Sequence, residues 1–158
     1  MRTLAILAVL LAGCAQPTTN GFSQPERKTA QTNAPAPVLA PTVRIGSIRG
    51  PSNRAARTLR SALAASLSRR GIPVVRRRGP GIVDISGRLS ALNEGNVTTY
   101  TYEWRLEVNG ELRSRPLVGF ERAPGGSSAS WDGLSGSTAA RMAERVARRI
   151  ALELGLKG

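Results

Sequence analysis

The sequence predicts an α+β fold: a two-layer sandwich with the element order β-α-β-β-β-β-α, in which two helices cover one face of a mainly antiparallel sheet. Two observations carry this prediction. Several segments between Thr42 and Val118 alternate apolar and polar residues with a period of two, which is typical of strands with one solvated face. Two other segments, starting near Arg54 and near Ser135, repeat apolar residues at helical spacing.

The first elements are a strand, a helix and a short second strand. Residues 42–48 alternate as a strand, and the following Gly-Pro-Ser-Asn supplies turn and N-cap residues for a helix from Arg54. Gly71 fits a glycine cap at the end of that helix. Residues 72–75 then read as a strand, and the proline favours either the start of that strand or the edge of a sheet.

A hairpin of two longer strands follows, over residues 83–91 and 98–108. The second of these strands has the clearest alternating pattern in the chain. Every second residue is large and apolar, and these residues would form its core face. A four-residue loop between the strands would place Ile85 opposite Trp104 on that face. We therefore expect this register.

The connection after residue 108 allows two hairpins. A two-residue Asn-Gly turn sets Arg113 beside Leu106, whereas a three-residue loop pairs Leu106 with Leu112 and Tyr100 with Val118. We expect the second, because it keeps apolar side chains together. The last helix starts near Ser135 or Ser137 and carries an unbroken apolar stripe, formed by Ala139, Met142, Ala143, Val146, Ala147, Ile150 and Leu154.

The N-terminus has the pattern of an export signal. Arg2 precedes an apolar run that ends at Ala12 and is too short to span a bilayer, which needs roughly 20 apolar residues. Leu11-Ala12-Gly13-Cys14 resembles the lipobox of bacterial lipoproteins. The resemblance implies that residues 1–13 are a signal peptide and that Cys14, the single cysteine of the chain, becomes the lipidated first residue.

Residues 14–41 would then be the lipidated cysteine and a disordered tether, and residues 42–158 a single α+β domain. The tether is rich in Pro, Thr, Gln and Asn and lacks periodicity, so it cannot bury enough apolar surface to fold. As a coil it would reach on the order of 30 Å. Ala15 in place of an aspartate implies, within the lipoprotein family, a periplasm-facing position on the outer membrane; the inner membrane stays open as an alternative.

The domain pattern also resembles a recurring plan among envelope proteins. The stretches "TVRIGSI", "VDISGRLSAL" and "EWRLEVNGEL" resemble the lipopolysaccharide-assembly lipoprotein, the lipoprotein activators of penicillin-binding proteins and the N-terminal domain of the Tol translocation protein. Residues 123–136, "APGGSSASWDGLSG", are similar to a feature of small, uncharacterised alphaproteobacterial lipoproteins. These resemblances imply a fold and an envelope location rather than an activity.

The chain is strongly basic, with 23 Lys+Arg against 10 Asp+Glu, and all but two of the basic residues are arginine. Nucleic acid is not an expected partner of an exported lipoprotein, so the nearest polyanions are anionic lipid and lipopolysaccharide. Arg76, Arg77 and Arg78 form a candidate polyanion contact, with a solvated loop as the alternative. Trp131, in a polar glycine-containing loop, either packs on the sheet or is displayed to a partner.

The sequence offers few residues for catalysis. It has no histidine, which removes the commonest general base and the usual metal ligand, and a lipidated Cys14 would leave no thiol. The carboxylates of Glu103 and Glu107 share one strand face, and Asp84 and Asp132 complete the set that we considered. We expect no enzyme activity, no cofactor and no metal.

Two functions from different classes follow. The first is a lipid-anchored, non-catalytic interaction module that docks an envelope protein through a sheet edge or the solvated sheet face, in envelope assembly or maintenance. The alternative is a binder of anionic lipid or lipopolysaccharide that uses the arginine-rich faces.

Replacing Cys14 tests the anchor. Wild-type protein purified from membranes is expected to have the intact mass of residues 14–158 plus acyl groups, and Cys14→Ala is expected to carry no acyl group because the thiol that accepts the lipid is gone. An unmodified thiol in the wild type, or its recovery in the aqueous fraction, would contradict this prediction.

Overall fold

The structure, a computed structural model, describes residues 41–125, 131 and 133–156. The predictions for the signal peptide, Cys14, the tether up to residue 40 and Asp132 lie outside these residues. The described elements are β1 (Val43–Arg49), α1 (Asn53–Arg69), β2 (Val74–Val75), β3 (Val83–Glu94), β4 (Val97–Val108), β5 (Glu111–Leu112), β6 (Leu117–Pro124) and α2 (Gly136–Glu153).

The strands form one mixed sheet. Its order is β2-β1-β3-β4, and both β5 and β6 pair with the far side of β4. β1 runs parallel to β2 and β3, whereas the longer β3–β4 and β4–β6 pairings are antiparallel. The predicted α+β class is confirmed, with one more strand than expected because the last predicted strand is divided into β5 and β6.

Both helices pack on the same face of the sheet and against each other. Serine hydroxyls cap their starts: Ser52 Oγ accepts from the Ala55 amide at 3.3 Å and Ser135 Oγ from the Thr138 amide at 3.1 Å. Glu144 of α2 forms ion pairs with Arg69 and Arg70 at the end of α1. The hydrogen bond from Arg70 lowers the pKa of Glu144, which identifies a favourable contact between the helices.

The register of the β3–β4 hairpin differs from the expected one by two residues. Glu94 pairs with Val97 across a two-residue turn, so Ile85 faces Leu106 rather than Trp104. A shift of two residues keeps every side chain on its predicted face. The predicted register was therefore wrong, although the predicted core face of β4 was right.

Glycine explains which register is adopted. Gly87 of β3 lies opposite Trp104, and a Cβ on Gly87 would lie 2.7 Å from Cζ3 of the indole. Gly119 of β6 lies opposite Tyr102, where a Cβ would lie 2.4 Å from the phenol oxygen. The two largest side chains in the middle of β4 thus occupy space that only glycine leaves on the neighbouring strands.

The hairpin after β4 uses the two-residue turn, so the three-residue loop that we expected was wrong. Asn109 and Gly110 have φ of 54° and 88°, the positive values that a type I′ turn requires. The Arg113 amide donates to the Leu106 carbonyl at 2.8 Å. The strand is then interrupted until Leu117, which pairs with Trp104. The register of β6 against β4 is therefore shifted by two residues relative to that of β5 against β4. The two-residue shift between these registers is accommodated in residues 113–116, so the turn keeps its preferred geometry and Leu117 of β6 stays in the core.

A buried carboxylate fastens β6 to α2. Glu121 points to the core side of β6 and is only 5% exposed, yet Arg141 Nε lies 2.7 Å from its Oε1. Arg145 Nη2 lies 3.4 Å from the other oxygen. A buried carboxylate is tolerated when it is paired, so these two arginines of α2 are a condition for placing Glu121 there.

Gly87→Ala tests the glycine–tryptophan contact. The added methyl group would overlap the indole of Trp104, and we expect it to lower the free energy of unfolding by about 1–3 kcal/mol. The matched control is Gly136→Ala, since a Cβ there meets nothing within 4 Å. Both are measured by denaturant unfolding of the full-length protein in detergent. Equal stability of the two variants would show that Gly87 does not set the register.

Arg141→Met tests the Glu121 ion pair. The change leaves the buried Glu121 carboxylate with Arg145 alone, and we expect destabilisation of about 1–3 kcal/mol. Arg148→Met is the control: Arg148 is an exposed arginine of the same helix without an ion pair among the described residues, and we expect a change within about 0.5 kcal/mol. If both variants unfold alike, Glu121 does not depend on Arg141.

Candidate functional site

Trp131 lies against the core. It is half-buried, and its ring centroid is 5.3 Å from that of Tyr100, with the planes tilted by 39°. This placement agrees with the packed alternative for Trp131, in which the indole packs on the sheet. Cys14, the predicted lipidation site, lies outside the described residues.

The three consecutive arginines separate in space. All are exposed, and Arg78 Nε lies 2.9 Å from Oδ2 of Asp84. Arg44 of β1 also bonds to Asp84, and this hydrogen bond raises the pKa of the guanidinium above its usual value. Arg76 and Arg60 of α1 both line a groove between α1 and the edge of the sheet. Arg77 makes no contact that assigns it a role.

Two of the candidate catalytic carboxylates, Glu103 and Asp84, are paired with arginines, and Glu107 lies half-buried on the same strand as Glu103. Glu103 accepts a hydrogen bond from Arg105 at 2.9 Å on the solvated face of the sheet. Asp84 forms ion pairs with Arg44 and Arg78. Burial raises the pKa of Tyr100 and Tyr102, which favours their neutral forms in the core.

Within the described ranges, no three histidine, cysteine or acidic side chains come together in a group that could hold a metal ion. In the same part of the chain, no helix combines the length and the apolar character needed to cross a bilayer.

The side of β6 that faces away from β4 has no strand partner among the described residues. The Gly125 amide donates to the Asn96 carbonyl at 2.7 Å, and the β4–β6 register continues from that pair. Antiparallel ladders alternate, so the backbone N–H and C=O groups of Val118, Phe120 and Arg122 point away from β4. We call these outward backbone groups the β6 edge.

Apolar side chains stand beside this edge. Val118 and Phe120 project to the solvated face and are 58% and 57% exposed. The guanidinium carbon of Arg122 lies 5.9 Å from the centroid of the Phe120 ring, within the range of a cation–π contact. An exposed edge strand with large apolar side chains is a template for pairing with another chain.

One arginine of each helix reaches an edge of the sheet. Arg149 Nη1 of α2 donates to the Val118 carbonyl at 2.8 Å, and Arg60 Nη2 of α1 donates to the Gly46 carbonyl of β1 at 2.8 Å. These side chains partly cover the two edges, which limits unspecific strand pairing. Arg149 contacts the Val118 carbonyl of β6. The backbone N–H and C=O groups of Phe120 and Arg122 that point away from β4 lie further along the strand.

Sequence reasoning missed Val118 and Phe120, because the expected hairpin turned Val118 to the core opposite Tyr100. The structure pairs Val118 with Glu103 and Tyr100 with the buried Glu121. The Asn-Gly pair was the available signal, since it favours the two-residue turn. The break between β5 and β6 decides the register of β6, and no comparable sequence pattern marks it.

No protein-family model matches the chain, and no curated protein matches it. Solved structures with a similar fold exist. A minor lipoprotein from Acinetobacter baumannii matches with a TM-score of 0.49 at 12% identity, over 73% of this chain and 95% of that one. TolB from Acinetobacter baumannii matches with a TM-score of 0.46 at 15% identity, over 75% of this chain and 29% of that one.

Lipoprotein GNA1162 from Neisseria meningitidis gives a TM-score of 0.39 at 15% identity, over 70% of this chain and 96% of that one. The structural neighbours of this chain therefore include bacterial lipoproteins and TolB. At these identities and TM-scores the similarity concerns the arrangement of helices and strands and carries no argument about function.

Proposed function

We propose that this chain is a lipid-anchored lipoprotein of the bacterial envelope, held through Cys14 on the periplasmic side of the outer membrane. Its domain acts there as a non-catalytic interaction module. The proposal of an anchor is supported by the lipobox-like Leu11-Ala12-Gly13-Cys14 and the polar tract that follows it. One acyl chain anchors a protein only marginally, so stable attachment would need the several chains that a lipoprotein cysteine carries.

The observation that carries the interaction role is the β6 edge with its exposed apolar neighbours. We assign to it a partner protein that adds an extended segment to the sheet, with main-chain hydrogen bonds to Phe120 and Arg122. A side chain of the partner that packs on Phe120 would supply specificity. Phe120 is held on a rigid strand, since Glu121 beneath it is tied to α2.

Charge favours a different protein over a second copy of this chain. Two β6 strands that paired antiparallel about Phe120 would place Arg122 of one copy opposite Val118 of the other. The Val118 carbonyl already accepts from Arg149, so at each end of this pairing the Arg122 amide would lack its acceptor and two positively charged side chains would lie at the same edge. An acidic residue in the partner segment would instead pair with Arg122 or Arg149.

The test is site-specific photo-crosslinking of the full-length protein in its own membranes. A photoreactive phenylalanine analogue replaces Phe120 or, as the control, Leu112, which is also exposed on the solvated face of the sheet. We expect a discrete adduct with one envelope protein, identified by mass spectrometry, from position 120 and none from position 112. Equal adducts from both positions would contradict a specific surface.

Edge pairing has its own matched variants. Arg122→Pro removes an amide that points away from β4, so the native ladder stays intact, whereas Arg122→Thr removes the same guanidinium and keeps the amide. In the background labelled at position 120, we expect the proline to reduce the adduct at least about tenfold relative to threonine, because a main-chain hydrogen bond is blocked. An undiminished adduct would overturn edge pairing, and adducts between two copies of this chain would overturn the partner.

A further inference from the structure

The opposite side of the sheet carries a groove that the interaction role does not use. β2 pairs with β1 at two positions only, Val43 with Val74 and Arg44 with Val75. The rest of β1 has no partner on that side among the described strands. The chain leaves the sheet at Arg76, and α1 passes alongside. A groove of about 660 Å³ remains between α1 and this edge, and we call it the β1–α1 groove.

The groove combines an apolar floor with a cationic rim. Its floor is formed by partly buried apolar residues, and its rim by guanidinium groups and a hydroxyl. The floor residues are Ile45, Ala64 and Val74, and Val75 also lines the groove, although its side chain projects to the other face of the sheet. The rim residues are Arg44, Arg60, Arg76 and Ser68. A volume of this size lies in the range of about 300–1,000 Å³ that is typical of small-molecule sites.

The positive charge of the rim is only partly neutralised. Arg44 is paired with Asp84, which does not line the groove. Arg60 donates one nitrogen to a neutral carbonyl, that of Gly46, and so keeps its full charge. Arg76 forms no ion pair among the described residues, and α1 contains no acidic residue that would offset the field. Charge complementarity therefore favours an anionic occupant over a neutral or cationic one.

The edge of β1 is a poor template for a peptide. Its pairing with β3 shifts register between Ile45 and Ile48, so the backbone groups here are irregularly spaced. Arg60 also occupies the Gly46 carbonyl. A small amphiphilic anion fits the groove better than a strand, because the floor offers apolar contact and the rim offers donors for a phosphate.

We infer that the β1–α1 groove binds an anionic phospholipid of the membrane on which the protein is anchored. The headgroup phosphate is held between Arg60 and Arg76, and the glycerol and first acyl carbons lie on Ile45 and Val74. The choice of lipid rests on the proposed anchor. In the sequence, the proposed tether ends at residue 41, two residues before Val43, the β1 residue that pairs with Val74. A tether of this length keeps the groove within tens of ångströms of the bilayer.

The experiment is native mass spectrometry of the full-length lipidated protein, released from detergent after addition of phosphatidylglycerol or of phosphatidylcholine with the same acyl chains. We expect a one-to-one adduct with phosphatidylglycerol at concentrations at which phosphatidylcholine gives none. Arg60→Gln/Arg76→Gln should weaken that adduct at least about tenfold, since hydrogen bonds to a charged phosphate are lost. The control Arg57→Gln/Arg148→Gln removes the same charge from exposed helix positions and should change binding less than about twofold.

Arg76→Gln alone guards against misfolding of the double variant, because the Arg76 side chain supports no described element. It should weaken the adduct severalfold. An adduct that both control and groove variants weaken equally would reduce the effect to net charge and overturn the groove. Displacement of the lipid by glycerol phosphate at equal concentration would show that the floor contributes nothing, and stronger displacement by a polyglutamate peptide would indicate a protein ligand; either result overturns the lipid assignment.

This experiment tests lipid binding in the groove and acylation of Cys14 independently. The binding is read from added lipid, and the acyl mass on Cys14 is read from the same spectra. An arginine-dependent adduct on protein with a free thiol would reject the anchor and keep the groove. Acylated protein whose adduct ignores Arg60 and Arg76 would reject the groove and keep the anchor.

Discussion

The fit of Tyr102 and Trp104 against glycines of the neighbouring strands is the constraint on which the rest of the structure depends. Gly87 on one side and Gly119 on the other leave the space that these aromatic side chains fill. Each contact selects one register of an antiparallel ladder. Because side chains alternate along a strand, that choice decides which residues of β6 face the core and which face solvent.

The two helices cover the apolar face of the sheet and also contact its polar groups. Its apolar stripes close the core, and its arginines reach past the core to polar groups of the strands. Arg141 and Arg145 neutralise the buried Glu121, while Arg149 and Arg60 donate to edge carbonyls. Arginine suits these positions because a long apolar stem can cross the layer and still end in several donors. Part of the basic composition is thus explained by contacts within the fold.

The two edges of the sheet differ in ways that matter for binding. β6 is a regular strand with outward backbone groups and exposed Val118 and Phe120, which suits an extended protein segment. The β1 side is short and irregular, with apolar residues under Arg60 and Arg76, which suits a small anionic amphiphile. The proposed division places a protein partner on one edge and the membrane on the other, so that the two would not compete for the same surface.

The sequence alone determined the element types, their order and the faces of the two helices and of β4, because periodicity depends on neighbouring residues in the chain. It also supplied the lipobox-like motif that underlies the prediction of an anchor. The registers of β3 and of β6 against β4 were decided by tertiary structure, whereas the local Asn109-Gly110 turn sets the register of β5. The contacts of Gly87 with Trp104 and of Gly119 with Tyr102 join residues that are distant in sequence, and nothing local to either glycine announces them. The exposure of Val118 and Phe120 follows from those long-range contacts, and the β1–α1 groove is likewise assembled from residues distant in sequence; for that physical reason only the folded chain revealed them.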